Sequence, residues 1–118
     1  MGNDAIDLAD VMERVQDDKE LLLELLIIFQ DDFLKKREAL GAAITVGDIV
    51  KIKELAHSIK GSSGNVSAKS MYASCLQLEQ LAKSNTTAGM ADLLEQIDAQ
   101  FDLVKTYAAQ LKKEWGAG

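Results

Sequence analysis

At 118 residues the chain is long enough to bury one core and too short for two domains, so a single domain over residues 1–118 is expected. It has no proline, 5% aromatic residues and abundant Leu, Ala, Glu, Lys, Asp and Gln, which favours an all-helical fold. A net charge of −6 argues against nucleic acid as a partner, and the single cysteine, Cys75, excludes an internal disulfide and a cysteine metal cluster.

The polar start Met1-Gly2-Asn3-Asp4 lacks the basic region, apolar run and cleavage site of a signal peptide. The most apolar stretch, Leu21 to Phe29, is interrupted by Glu24 and falls far short of a bilayer span. A soluble, cytoplasmic protein without membrane contact is therefore expected.

Five helical segments follow from periodicity and punctuation. The first is short, from Ala5 to Val15, with Asp4 as N-cap and Asp7 in the first turn. The second begins at Asp17 or Asp18 and continues to Ala43, with an apolar stripe of Leu22, Leu25, Leu26, Phe29 and Phe33. Val46-Gly47-Asp48 reads as a turn in which Asp48 caps the third helix. That helix carries Ile49, Ile52, Leu55, Ala56 and Ile59 in one apolar arc and ends at Gly64-Asn65, residues that tolerate left-handed backbone. A fourth helix from Ser67 to Lys83 presents Met71, Cys75, Leu78 and Ala82 on one side, which places Cys75 in the core. After Ser84-Asn85-Thr86-Thr87, the residues Leu94, Ile97, Phe101, Val104, Ala108, Leu111 and Trp115 repeat at spacings of three and four. One apolar face per helix and short connections predict an antiparallel four-helix bundle with a short additional N-terminal helix. The last stripe is read as intramolecular core and the chain as a monomer.

His57 is the only histidine. At about 100° per residue it points roughly 140° away from the centre of the apolar arc, so exposure is predicted. Lys60, Gly61 and Gly64, at three, four and seven residues on, share its face, as do Lys53 and Val50. Each glycine weakens the helix by roughly 0.5–1 kcal/mol relative to alanine, which suggests that it serves something other than helix stability.

Most chemistries fail on inventory. One His and one Cys cannot make a usual zinc site, and no paired Glu-x-x-His motifs exist for a di-iron bundle. Lys60-Gly61-Ser62-Ser63 lacks the order of a phosphate-binding loop, and nothing marks out a Ser-His-Asp triad. Ser62 and Ser63 read as local hydrogen-bonding groups near a helix end. His57 remains as a nucleophile, because a neutral imidazole can attack phosphorus without a special base. Lys60 can then supply positive charge to the phosphoryl oxygens, Gly61 and Gly64 can admit another protein, and Val50 and Lys53 can help to dock it.

The segment Ala56-His57-Ser58-Ile59-Lys60-Gly61-Ser62-Ser63-Gly64-Asn65, followed by Cys75 and Leu78-Glu79, resembles the histidine-containing phosphotransfer (HPt) domain of two-component phosphorelays. The acidic, leucine-rich helix with Phe29 and Phe33, and Gly47-Asp48 ahead of the histidine helix, extend the similarity over essentially the whole chain. The resemblance implies a four-helix bundle whose His57 takes a phosphoryl group from a receiver-domain aspartate and passes it to another. Lys60 would support the phosphohistidine and Gly61 would give access. Some members have a glutamine where this chain has Glu79. A carboxylate would not stabilise a phosphoryl group of about −2 charge, so Glu79 is left out of the site. The implied partners are receiver domains and a hybrid sensor histidine kinase. No metal site or intrinsic cofactor is expected, with Mg2+ coming from the receiver, and 118 residues leave no room for an ATP-binding domain. Two rival readings stay open: the phosphoacceptor domain of a chemotaxis-type histidine kinase, and a helical interaction module that is not phosphorylated.

Overall fold

The computed structural model describes residues 5–116, all helices and connections with no strand among them. The helices are α1 (Leu8–Arg14), α2 (Lys19–Val46), α3 (Ile49–Asn65), α4 (Lys69–Lys83) and α5 (Met90–Trp115). Each of α2 to α5 packs on its chain neighbour and α2 packs on α5, closing a four-helix ring, while the short α1 lies against α2. The result is an elongated bundle of 48 × 23 × 21 Å, the all-α four-helix architecture with an extra short leading helix.

The helix ends show where sequence punctuation was misread. Asp4, the expected first cap, lies outside the described residues. The N-cap of α1 is Asp7, whose side chain accepts from the Asp10 N–H at 3.1 Å. Ala5 and Ile6 instead precede the helix and are buried in the core, and Ile6 and Val11 occupy the two positions of a hydrophobic staple. After α1 the chain turns through left-handed Gln16 and Asp17, so Asp18 caps α2 by accepting from the Leu21 N–H at 3.0 Å.

Helix α2 runs three residues past Ala43, because the stop signal is Gly47. With φ at 75° it donates to Ile44 O at 3.2 Å, and Asp48 donates to Ala43 O at 2.9 Å. These two bonds form a Schellman motif, which a left-handed glycine adopts without strain. The same motif ends α3, with a different left-handed residue. Ser67, at φ 56°, takes that conformation in place of Gly64 or Asn65, and Ala68 donates to Ser63 O at 2.9 Å. Helix α1 supplies the reason. The Ser67 hydroxyl donates to Asp10 at 2.6 Å, and its carbonyl accepts from the Asp7 N–H at 2.9 Å. Helix α4 accordingly starts at Lys69, two residues after the expected start.

The core is built from the stripes. Leu22, Leu26, Phe29 and Phe33 of α2 face Ile97, Phe101 and Val104 of α5, and Ile52, Ala56 and Ile59 of α3 face Met71, Cys75 and Leu78 of α4, all buried. The Phe33 and Phe101 rings stack with centroids 4.1 Å apart, and Phe29 meets Phe101 tilted at 6.1 Å. Fully burying side chains of this size contributes about 1.5–3 kcal/mol each. Leu25, Ile49, Leu55, Leu94 and Trp115 flank the core and are only partly buried. No helix among the described residues is long and apolar enough to cross a membrane.

Candidate functional site

Burial of Ile52, Ala56 and Ile59 fixes the roll of α3, and that roll turns His57 outward. Its side chain is 69% exposed. One turn on, Lys60 leans toward α4, where both side chains meet one residue. Glu79 Oε1 accepts from Lys60 Nζ at 2.7 Å, and Glu79 Oε2 lies 2.9 Å from His57 Nδ1. Glu79 is only 4% exposed, on the stripe of Cys75, Leu78 and Ala82. A carboxylate in that position needs partners, and these two satisfy it.

The electrostatics assign the imidazole tautomer. The hydrogen bond from Lys60, helped by the one from His57, holds the Glu79 carboxyl below the usual carboxylate range against the opposing effect of burial. Glu79 is therefore ionised near neutral pH and can only accept, so Nδ1 must carry the proton in the bond to Oε2. The lone pair of the neutral ring is left on Nε2, the nitrogen turned away from Glu79. The same pairing raises the Lys60 pKa and keeps its ammonium charged.

The two glycines have different surroundings. A Cβ built at Gly61 meets nothing within 4 Å, so the surface beside His57 is bare. A Cβ at Gly64, which is partly buried, would make ordinary contact with the Tyr72 ring at 3.5 and 3.6 Å. Gly61 is thus the more open of the two, with Gly64 beside the edge of an aromatic ring. Val50 and Lys53 are exposed and line a surface groove with His57, Glu79, Ala82 and Lys83. Ser63 donates to Ile59 O at 2.8 Å, and Ser62 donates to Asp32 at 3.1 Å and to Ser58 O at 3.2 Å. Cys75 is buried, its thiol pushed up to about 12, and it stays an unreactive core group.

Glu79 is the residue that sequence reasoning missed. Excluding it on charge assumed that it would face the phosphoryl group, whereas it faces the lysine and the far edge of the imidazole. A signal was available. Glu79 falls one residue after Leu78 and four after Cys75, among apolar neighbours, and a lone acid there calls for a cation from the adjacent helix. Among the described residues no group of three or more His, Cys, Asp or Glu side chains is placed to hold a metal ion.

The bundle thus offers one bare imidazole nitrogen beside a lysine and an open glycine, and comparison with known proteins shows the family to which it belongs. The Hpt domain model matches residues 24–112, and the chain belongs to that family. It is similar to histidine-containing phosphotransfer protein 2 of Arabidopsis thaliana, at 27% identity over 100 residues. Histidine-containing phosphotransfer protein 5 of the same plant is 24% identical over 100 residues. Each alignment covers 80% of this chain and 64% of the relative, so the chain spans just under two thirds of those proteins. Among solved structures it resembles histidine-containing phosphotransfer protein B from Pseudomonas aeruginosa PAO1, with a TM-score of 0.78 and 29% identity, covering 92% of this chain and 91% of that one.

Proposed function

We propose that the chain is a histidine phosphotransfer module, which accepts a phosphoryl group on His57 Nε2 from a receiver-domain aspartate and passes it to another receiver. The observation that carries this reading is the shared carboxylate. Glu79 fixes the proton on Nδ1 at 2.9 Å and so leaves Nε2 as a free nucleophile on an exposed ring.

The step balances as follows. The Nε2 lone pair attacks phosphorus, an N–P bond forms, and the P–O bond of the acyl phosphate breaks to release the donor aspartate as a carboxylate. Because Nδ1 still holds its proton, the ring gains positive charge as the N–P bond forms. The ionised Glu79 offsets that charge on the edge of the ring opposite the phosphorus. Lys60 offsets the charge of the phosphoryl oxygens, and Gly61 lets the acidic pocket of the receiver close over the ring. Passing the group onward is the same sequence in reverse. Val50 and Lys53 lie where the edge of such a partner would rest. The partners of this reading are receiver domains and a sensor histidine kinase that loads them, with this chain acting as a monomer. Magnesium belongs to the receiver.

The test is label transfer from a phosphorylated receiver domain. The chain should acquire an acid-labile, alkali-stable phosphoryl group, and His57→Gln should acquire none. Label persisting in that variant would overturn the assignment, since no other histidine exists.

A further inference from the structure

Lys60 is held by more than Glu79. Its side chain is only 17% exposed, little for an ammonium group on the surface of a bundle. Besides the carboxylate it faces an aromatic ring, with Nζ 5.8 Å from the centroid of Tyr72. That is within the ~6 Å over which a ring face attracts a cation. Tyr72 comes from α4, two turns before Glu79, so the two groups flank Lys60 from the same helix. The ring edge also faces Gly64 of α3, where an added Cβ would lie 3.5 Å from it. The Tyr72 hydroxyl makes no hydrogen bond among the described residues, so the contact with Lys60 is made by the ring.

A lysine has a long, flexible stem, and its ammonium contributes to phosphoryl transfer only while it stays near the reacting nitrogen. Glu79 alone fixes one N–H of the three. The ring stands on a second side of the ammonium, 5.8 Å from Nζ to its centroid. We propose that Tyr72 is a positioning residue for phosphotransfer. Its ring keeps the Lys60 ammonium beside His57 so that the charge is already in place when the phosphoryl group arrives. This inference rests on the phosphohistidine reading.

The experiment follows label transfer from a phosphorylated receiver domain to wild type, Tyr72→Phe, Tyr72→Leu, Lys60→Met and the Tyr72→Leu/Lys60→Met pair, at several receiver concentrations. Tyr72→Leu should lower the saturated transfer rate about two- to fivefold, the size of a partly exposed cation–π contact, with little change in the half-saturating concentration. Tyr72→Phe, which keeps the ring, should transfer like wild type. In the Lys60→Met background, Tyr72→Leu should have no further effect. A change confined to half-saturation would make Tyr72 a docking contact, and a full effect without Lys60 would make it structural; either overturns the proposal. A second measurement needs no phosphate. In the unphosphorylated chain the Lys60 ε-methylene protons should carry a ring-current shift that Tyr72→Leu removes and Tyr72→Phe retains. If wild type takes no label, the phosphohistidine reading fails, and the ring-current shift still decides whether Tyr72 holds Lys60.

Discussion

Adding a side chain at Gly61 separates what the fold needs from what a partner needs. Gly61 lies inside α3, four residues before its last helical residue, and its φ is not in the left-handed region. Replacing a helix-interior glycine by alanine removes backbone freedom from the unfolded chain and stabilises a helix by about 0.5–1 kcal/mol. The added methyl meets no atom within 4 Å, so no clash offsets the gain. For a chain of this length the gain corresponds to an upward shift in Tm of roughly 2–6 °C. The same methyl projects from the surface that a receiver must cover to bring its aspartate within bonding distance of Nε2. A partner packed closely there cannot accept even one extra carbon without moving.

Gly61→Ala should therefore be more stable than wild type and slower in phosphotransfer. Gly61→Leu should be slower still while keeping a cooperative unfolding transition. Thermal unfolding followed by circular dichroism gives the first quantity, and the rate of label transfer from a phosphorylated receiver gives the second. A fall in Tm for Gly61→Ala would refute the reasoning from the fold side, because the glycine would then serve a backbone conformation. Unchanged transfer in a folded Gly61→Leu would refute it from the partner side, because no close approach would be occurring.

Glu79→Gln retains an oxygen that can accept from Nδ1 but removes the charge, so label transfer should slow while the chain still folds; an unchanged transfer rate would mean that Glu79 only orients the ring. The carboxyls of Glu79, Asp7 and Asp10 are all held below their ordinary values, chiefly by Lys60, by Lys69 and by the Ser67 hydroxyl respectively. Such groups add stability above their unfolded values and lose it as pH falls through the folded ones, so Tm should drop steadily below about pH 4.5, less steeply in Asp10→Asn; equal slopes in the two proteins would exclude the Asp10–Ser67 bond as a cause. The Arg37 guanidinium grips Asp98 through two bonds of 2.9 and 2.8 Å between α2 and α5. With both side chains more than a third exposed, Arg37→Met should cost no more than about 1 kcal/mol by urea unfolding and less in high salt, and a loss of several kcal/mol would contradict that screening.

The existence and order of the helices could be read from the sequence because each buries one stripe, and stripes are local. The ends were less legible because a cap depends on what the neighbouring chain offers. Gly47 ends α2 as an isolated glycine should, so the helix runs three residues past the expected stop at Ala43. Ser67 ends α3 only because Asp7 and Asp10, nearly sixty residues earlier, hold its backbone and hydroxyl. No periodicity within α3 and α4 contains that information. The same division runs through the site. The exposure of His57 and the position of Lys60 follow from helical phase within α3, whereas Glu79 and the ring beside Gly64 come from α4, whose rotation against α3 is set by core packing.

The helix packing also answers the electrostatic objection to a carboxylate beside a phosphohistidine. The two nitrogens of an imidazole lie on different edges of the ring, and Glu79 occupies the Nδ1 edge. A phosphoryl group on Nε2 is therefore separated from that carboxylate by the ring itself, which carries positive charge while Nδ1 keeps its proton. Lys60 is bonded to the same carboxylate at 2.7 Å and stands beside the ring, so the negative charge of Glu79 is already matched before any phosphate arrives. On the proposed reading, the incoming phosphoryl group meets an ammonium group and a ring that turns cationic only as the N–P bond forms, with the anion behind both. A neutral side chain at this position would keep the hydrogen bond and lose the opposing charge. The positive charge that makes the imidazole a good leaving group in the proposed onward transfer would then lack its counter-charge. The carboxylate thus suits the proposed shuttle, which would give its phosphoryl group away as well as take it.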